Sequence, residues 1–315
     1  MLAKTSSEYQ RALRKFLKII LIFTVLALVF STAELQEQNH RGFAADLSQS
    51  QNDFLGFSAE SAMEHVRELS DRIGRRVSGT RGEQRAAEYI RAELTQFGYS
   101  TSTQSFRLPN GRLSQNVMAQ KRGSFHPQRR LIIGAHMDTK RKSPGANDNA
   151  SGLAVVLELA RILKDRDTAL TVDFVAFGAE EMIDRNPDHH HYGSRYFVSA
   201  LNEEERRKIV GMISIDAVGV GSSLYVRSLG RLPLIFVDGI MESGRNLGAK
   251  VSYLKSGEWS DHEAFEKAGI PAAWIQYQKD PNNHTRKDTS GRIGLAQLQT
   301  AGDMILRFVT TYKEM

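Results

Sequence analysis

The chain of 315 residues contains no cysteine. That excludes disulfides, thiolate metal ligands and a cysteine nucleophile. Stability must then come from an apolar core, for which the length is ample. No internal repeat or coiled-coil heptad is visible. Charge of one sign is also nearly missing once the first residues are set aside. Residues 1–33 hold five Lys/Arg and one Glu, which leaves 37 basic and 35 acidic groups, a net +2. Such a balance gives no electrostatic case for nucleic-acid binding. The longest apolar run, 19–30, falls short of the ~20 residues of a full membrane span.

That run has informative neighbours. Lys4, Arg11, Arg14, Lys15 and Lys18 precede it, and Ser31, Thr32 and Ala33 follow. Charged, apolar and small-residue segments in that order define an export signal, either cleaved after Ala33 or kept as an anchor. The expectation is an exported protein, periplasmic or extracellular, with possible membrane association through residues 16–33. Residues 34–57 are rich in Gln, Asn, Ser and Asp and read as a polar linker. The folded domain is expected over 58–315.

Within it, Ser58, Ser61 and Glu64 open a helix that Gly74 ends. A second amphipathic helix runs to a stop at Gly98. Two β-like runs follow at 100–108 and 114–120. Strands are then expected at 131–135, 170–177, 210–215, 251–254 and 272–277. Helices are expected at 153–163, 193–201, 232–247, 261–267 and 295–312. This alternation predicts a single α/β domain with a mostly parallel twisted central sheet and helices on both faces.

Ligands and catalytic groups on such sheets emerge past the carboxyl ends of strands. Five motifs lie there: AHMD (135–138), GANDNASG (145–152), FGAEEM (177–182), SIDAVG (214–219) and NNHTRKDT (282–289). They carry His136 and Asp138, Asp148, Glu180 and Glu181, Asp216, and His284. Asp138 could accept the second ring N–H of His136. Asp148 could bridge two cations or merely cap the next helix, as could Asn149 or Ser151. One of the paired glutamates could bind metal while the other moves protons. Asp288 and Thr289 could orient His284 or cap the last helix. Two imidazoles and several carboxylates suit zinc. There is one carboxylate too many for a single ion, which suggests two metals and a base.

These segments, with RVSGTRGEQRAAEYIRAELTQFGY (76–99) and SDHEAFEKAGIPA (260–272), resemble the zinc aminopeptidases of the bacterial leucyl aminopeptidase and aminopeptidase S type, family twenty-eight of the metallopeptidases. The resemblance spans almost all of 60–312. It implies a zinc-peptidase, phosphorylase/hydrolase-like fold and two zinc ions. Asp148 would bridge both, with His136 and Asp216 completing one and Glu181 and His284 the other. Glu180 would be the general base, with Asp138 supporting His136. The substrates would be peptides with a free N-terminus.

The sequence departs from the family pattern in places. An insert, 182–194, follows the Glu pair and contains His189, His190 and His191. It reads as a solvated loop, because three adjacent side chains cannot all face one point, with contact to metal or substrate as the alternative. Asn283 stands where the family often has tyrosine. Asp261 and His262 match a family motif beside the site, yet Ser260 could instead be a helix cap. Trp259 and Trp274 read as core. Other readings remain: a single-zinc glutaminyl cyclase on the same fold, a carboxypeptidase or aminoacylase on a related scaffold, or a binding domain without activity.

Overall fold

The computed structural model describes residues 56–312, except 187 and 279. The export segment 1–33 and most of the linker 34–57 therefore lie outside the described residues. Ser58 does cap the first helix, α1 (Ala59–Arg67), by accepting from the Ser61 amide. A π-helical turn, Glu68–Ile73, continues it to Gly74, whose positive φ of 75° ends the element. Helix α2 (Arg81–Gln96) stops before Gly98.

The remaining elements alternate as the apolar pattern dictates. They are β1 (Thr101–Arg107), β2 (Leu113–Lys121), β3 (His126–His136), α3 (Ser151–Leu163), β4 (Leu170–Phe177), α4 (Tyr192–Ser199), α5 (Glu203–Lys208) and β5 (Ile209–Ile215). Then come β6 (Ser223–Ser228), α6 (Ile235–Arg245), β7 (Val251–Lys255), α7 (His262–Lys267), β8 (Ala272–Gln278) and α8 (Leu295–Thr311).

The eight strands form one sheet in the order β1-β2-β4-β3-β5-β8-β6-β7. The four central strands, β4, β3, β5 and β8, are mutually parallel. Every residue of β4 and β5 is buried, as expected of strands covered on both faces. Strand pleating divides their side chains. In β4, Val172, Phe174 and Ala176 join a core with α1, α2, α3, α6 and α8, whereas Val175 and Phe177 join a second core with Phe197 of α4 and Phe265 of α7. Helices thus cover both faces. Among the described residues no helix is long and apolar enough to cross a membrane.

Two elements escaped the sequence reading. Strand β6 lies antiparallel to β8 and buries only Leu224, Val226 and Ser228. Helix α5 buries none of its residues. Its stability is local: Asn202 and Glu205 form a reciprocal capping box, with three Glu in the first turn and three basic residues in the last.

Candidate active site

The carboxyl ends of the parallel strands deliver the site. His136 is the last residue of β3, and Glu180 and Glu181 follow β4. Asp216 directly follows β5, and His284 lies in the loop after β8. Asp148 comes from the turn that precedes α3. All of the expected site residues converge.

Asp148 stands in the middle. Its Oδ1 is 3.2 Å from His136 Nε2, and its Oδ2 is 2.9 Å from His284 Nε2. His136 Nε2 also lies 3.5 Å from Asp216 Oδ1 and 3.9 Å from Glu180 Oε2. His284 Nε2 lies 3.3 Å from Glu181 Oε1. Two donor groups result, each with its ligand atoms within 4.8 Å of one another: His136 with Glu180 and Asp216, and Asp148 with Glu181 and His284. Glu181 Oε1 is buried and makes no hydrogen bond, so it has an unmet need that a cation would fill. Its other oxygen, Oε2, faces Lys140 Nζ at 2.9 Å.

Electrostatics reflect the crowding. Burial, then the Asp148 charge, pushes Glu181 up to about 8. Burial also raises Asp216. His284 is pushed up to about 9, chiefly by its bond to Asp148. Burial opposes protonation of His136, but Glu180 and the bonded aspartates overcome it and raise its pKa. The protons on these imidazoles occupy the place where divalent cations would neutralise the same carboxylates. Mixed N and O donors in two open sets fit zinc.

The supporting shell is dense. Asp138 accepts from the Glu180 amide at 2.9 Å through one oxygen, and from the Glu181 amide and Ser78 Oγ through the other. His136 Nδ1 lies 3.2 Å from the Asp138 backbone carbonyl and 3.5 Å from its carboxylate. Asp138 therefore holds the glutamate loop as much as it supports His136. Asp288 neither orients His284 nor caps α8. It accepts the backbone amides of Asn147 and Asp148 at 2.6 and 3.1 Å, fixing the turn that carries Asp148. Asn149 accepts from the Gly152 amide at the start of α3 and donates to the Ile215 carbonyl, which joins that turn to β5. Gly152 is required for this approach, since a Cβ there would lie 2.1 Å from the Ile215 oxygen. Asn283 accepts from Asn147 and so ties the His284 loop to the same turn.

Several expectations are corrected. Ser260 caps no helix. Its hydroxyl donates to Asp216 Oδ2 at 2.8 Å. Trp274 is buried and donates to the Asp216 carbonyl, whereas Trp259 is 71% exposed and has no core role. The insert is not simply solvated. His189 is half-buried against Asp184, but His191 is buried with Nε2 3.0 Å from Glu180 Oε1. His190 stacks edge-on beside it, with ring centroids 4.0 Å apart, yet of the three only His191 is fully buried. Asp261 is fully buried, and burial followed by the Glu180 charge pushes its carboxyl up to about 7. Four non-glycine residues flank the site with positive φ: Ala179, His191, Ala217 and His284. Such strain of ~1–3 kcal/mol each gathers where geometry serves function.

Two further buried residues of the 76–99 segment brace the loops around the site. Arg76 donates to the carbonyls of Leu69, Gly74, Met137, Pro144 and Gly145. Glu83 accepts from Gly79, Ser114 and Ala179. Their sequence signal is an ionisable residue on either side of the glycines Gly79 and Gly82, Arg76 before them and Glu83 in the first turn of α2.

A mostly parallel α/β sheet with paired cation-binding sets at its carboxyl edge is the build of a metal-dependent hydrolase. The chain belongs to peptidase family M28, whose model matches residues 116–309. It is 34% identical over 212 residues to aminopeptidase YwaD of Bacillus subtilis, a match covering 61% of this chain and 43% of that protein. The chain thus spans less than half the length of this curated relative. Its fold is similar to that of a zinc aminopeptidase from Bacillus subtilis, with a TM-score of 0.75 at 21% identity over 81% of this chain and 95% of that one. It is also similar to Tannerella forsythia glutaminyl cyclase, with a TM-score of 0.72 at 25% identity over 82% and 99% of the two chains.

Proposed function

We propose that this chain is an exported two-zinc aminopeptidase that hydrolyses the first peptide bond of peptides with a free N-terminus. One observation carries the reading: the two oxygens of Asp148 face two different imidazoles, His136 and His284, at 3.2 and 2.9 Å. A carboxylate so placed suits a bridge between two ions. His136 and Asp216 would complete one ion, and Glu181 and His284 the other.

Zinc bound there would polarise the scissile carbonyl and acidify a water. Glu180, whose Oε2 faces the same space, takes a proton from the attacking water and delivers it to the leaving amine. Asp138 sets the base's backbone through the amide bond it accepts. Membership of peptidase family M28 and the likeness to aminopeptidase YwaD support a substrate with a free N-terminal amine.

Export rests on residues 1–33. Terminal sequencing of the exported protein separates cleavage after Ala33 from a retained anchor through residues 16–33. The catalytic domain is taken as 58–315.

The test of mechanism is Glu180→Gln. It should keep the wild-type zinc content and lose turnover of aminoacyl p-nitroanilides by ~10²–10⁴-fold. Near-normal turnover would remove Glu180 from the role. A second reading, glutaminyl cyclase, is favoured by the Tannerella forsythia likeness alone. The presence of His136 as a donor for a second ion argues against it. Release of a free amino acid, rather than a cyclised N-terminus, separates the two. End-group analysis does the same for a carboxypeptidase or aminoacylase.

A further inference from the structure

His191 lies in the 182–194 insert, which the proposed mechanism does not use. Its backbone is bound to the residue that its ring touches: the His191 amide donates to the Glu180 carbonyl at 2.7 Å. Tyr192 and Gly193 donate to Ala179 and Gly178 in the same way, at 2.9 Å each. The left-handed backbone of His191, φ 52°, turns the ring back under the glutamate loop. There Nε2 meets Glu180 Oε1 at 3.0 Å, and Nδ1 meets Glu263 Oε2 at 2.6 Å. Both ring nitrogens face carboxylate oxygens, so both donate. Glu263, on α7, is held through its other oxygen by Arg195 at 3.0 Å and by Lys267.

We propose that His191, anchored by Glu263, is a positioning residue for the base Glu180. It pins Oε1 and leaves Oε2 directed at the reaction space. The inference rests on the reading of Glu180 as base.

The need for such a device is electrostatic. Glu181, Asp216 and Asp261 are all close enough to feel the Glu180 charge. An unrestrained carboxylate would swing away from them, or toward a bound cation as a further ligand. A base is useful only when its orientation is fixed to the reacting proton. Glu180 Oε2, 3.9 Å from His136 Nε2, is then kept at the edge of the metal space. His190, His191 and Glu263 also lie close enough to hold a cation themselves. The Arg195 and Lys267 cations already on Glu263 oppose that use.

The experiment compares full-length His191→Ala, His191→Gln, Glu263→Gln and Glu180→Gln with wild type. It uses leucine p-nitroanilide, zinc analysis and thermal unfolding. His191→Ala should lower kcat ~10–100-fold with KM within about twofold and zinc content unchanged. His191→Gln, which restores one donor, should recover several-fold of that loss. Glu263→Gln should fall between them. A kcat within twofold of wild type for His191→Ala overturns the inference. So does a loss that follows zinc release or resides in KM alone, or a third zinc equivalent that His191→Ala removes. If the alanine variant does not fold, Glu263→Gln decides by the same split. An inactive Glu180→Gln beside a normal His191→Ala refutes this inference and spares the base, whereas an active Glu180→Gln refutes the base itself.

Discussion

Asp148 is restrained from both ends: Asp288 holds its amide, and two imidazoles face its carboxylate. Asp288 is therefore as important to the site as a ligand. Removing its carboxylate leaves two buried amides without acceptors, at about 1–3 kcal/mol each. Asp288→Ala should lower zinc affinity ~10–100-fold while leaving all five donors present. Competition against a zinc chelator measures this, and unchanged affinity would show that the turn keeps its shape unaided. The residues that converge here stood out in the sequence because most sit at or just past a strand end, whereas Asp148 sits in the turn before α3. Ser260 and His191 did not, because their partners lie 44 and 11 positions away. A sequence records that a serine or histidine is present, not which way a turn aims it.

Among the elements, the loops are joined less by regular structure than by Arg76. Its guanidinium gathers carbonyls from the π-helical turn, the end of β3 and the turn before Asp148. Burial pulls Arg76 down to about 10, against the nearby Asp288, Asp138 and Asp148 charges, so it remains charged at neutral pH. Arg76→Met should cost about 3–5 kcal/mol, because five carbonyls lose their donor. Urea unfolding of metal-free protein reads this, and a loss below 1 kcal/mol would mean that water replaces the guanidinium. The central strands were legible because their burial on both faces leaves continuous apolar runs. Strand β6 was not, since only alternate residues of SLYVRS face the core. The first half of β3 was missed for a similar reason: it is mostly exposed, and apolar side chains begin at Leu131.

At the scale of the whole molecule, the site makes stability depend on pH and on metal together. His284 is raised from 6.5 to about 9 and Glu181 from 4.5 to about 8. Both shifts are upward, so folding takes up protons. The stabilisation is complete below the ordinary values and is lost as pH climbs through the raised ones. Metal-free protein should melt at progressively lower temperature between pH 7 and 9. Zinc replaces those protons, so the rise in melting temperature on adding zinc should be larger at pH 8.5 than at pH 6.5. A metal-free melting temperature that increases over this range would contradict the electrostatics described.

The most direct measurement is a zinc titration of chelator-stripped full-length protein, with bound metal and release of free amino acid from a peptide followed together. Two equivalents should bind per chain, with full release reached only at the second. Saturation at one equivalent, or release with none bound, would contradict the two-zinc reading.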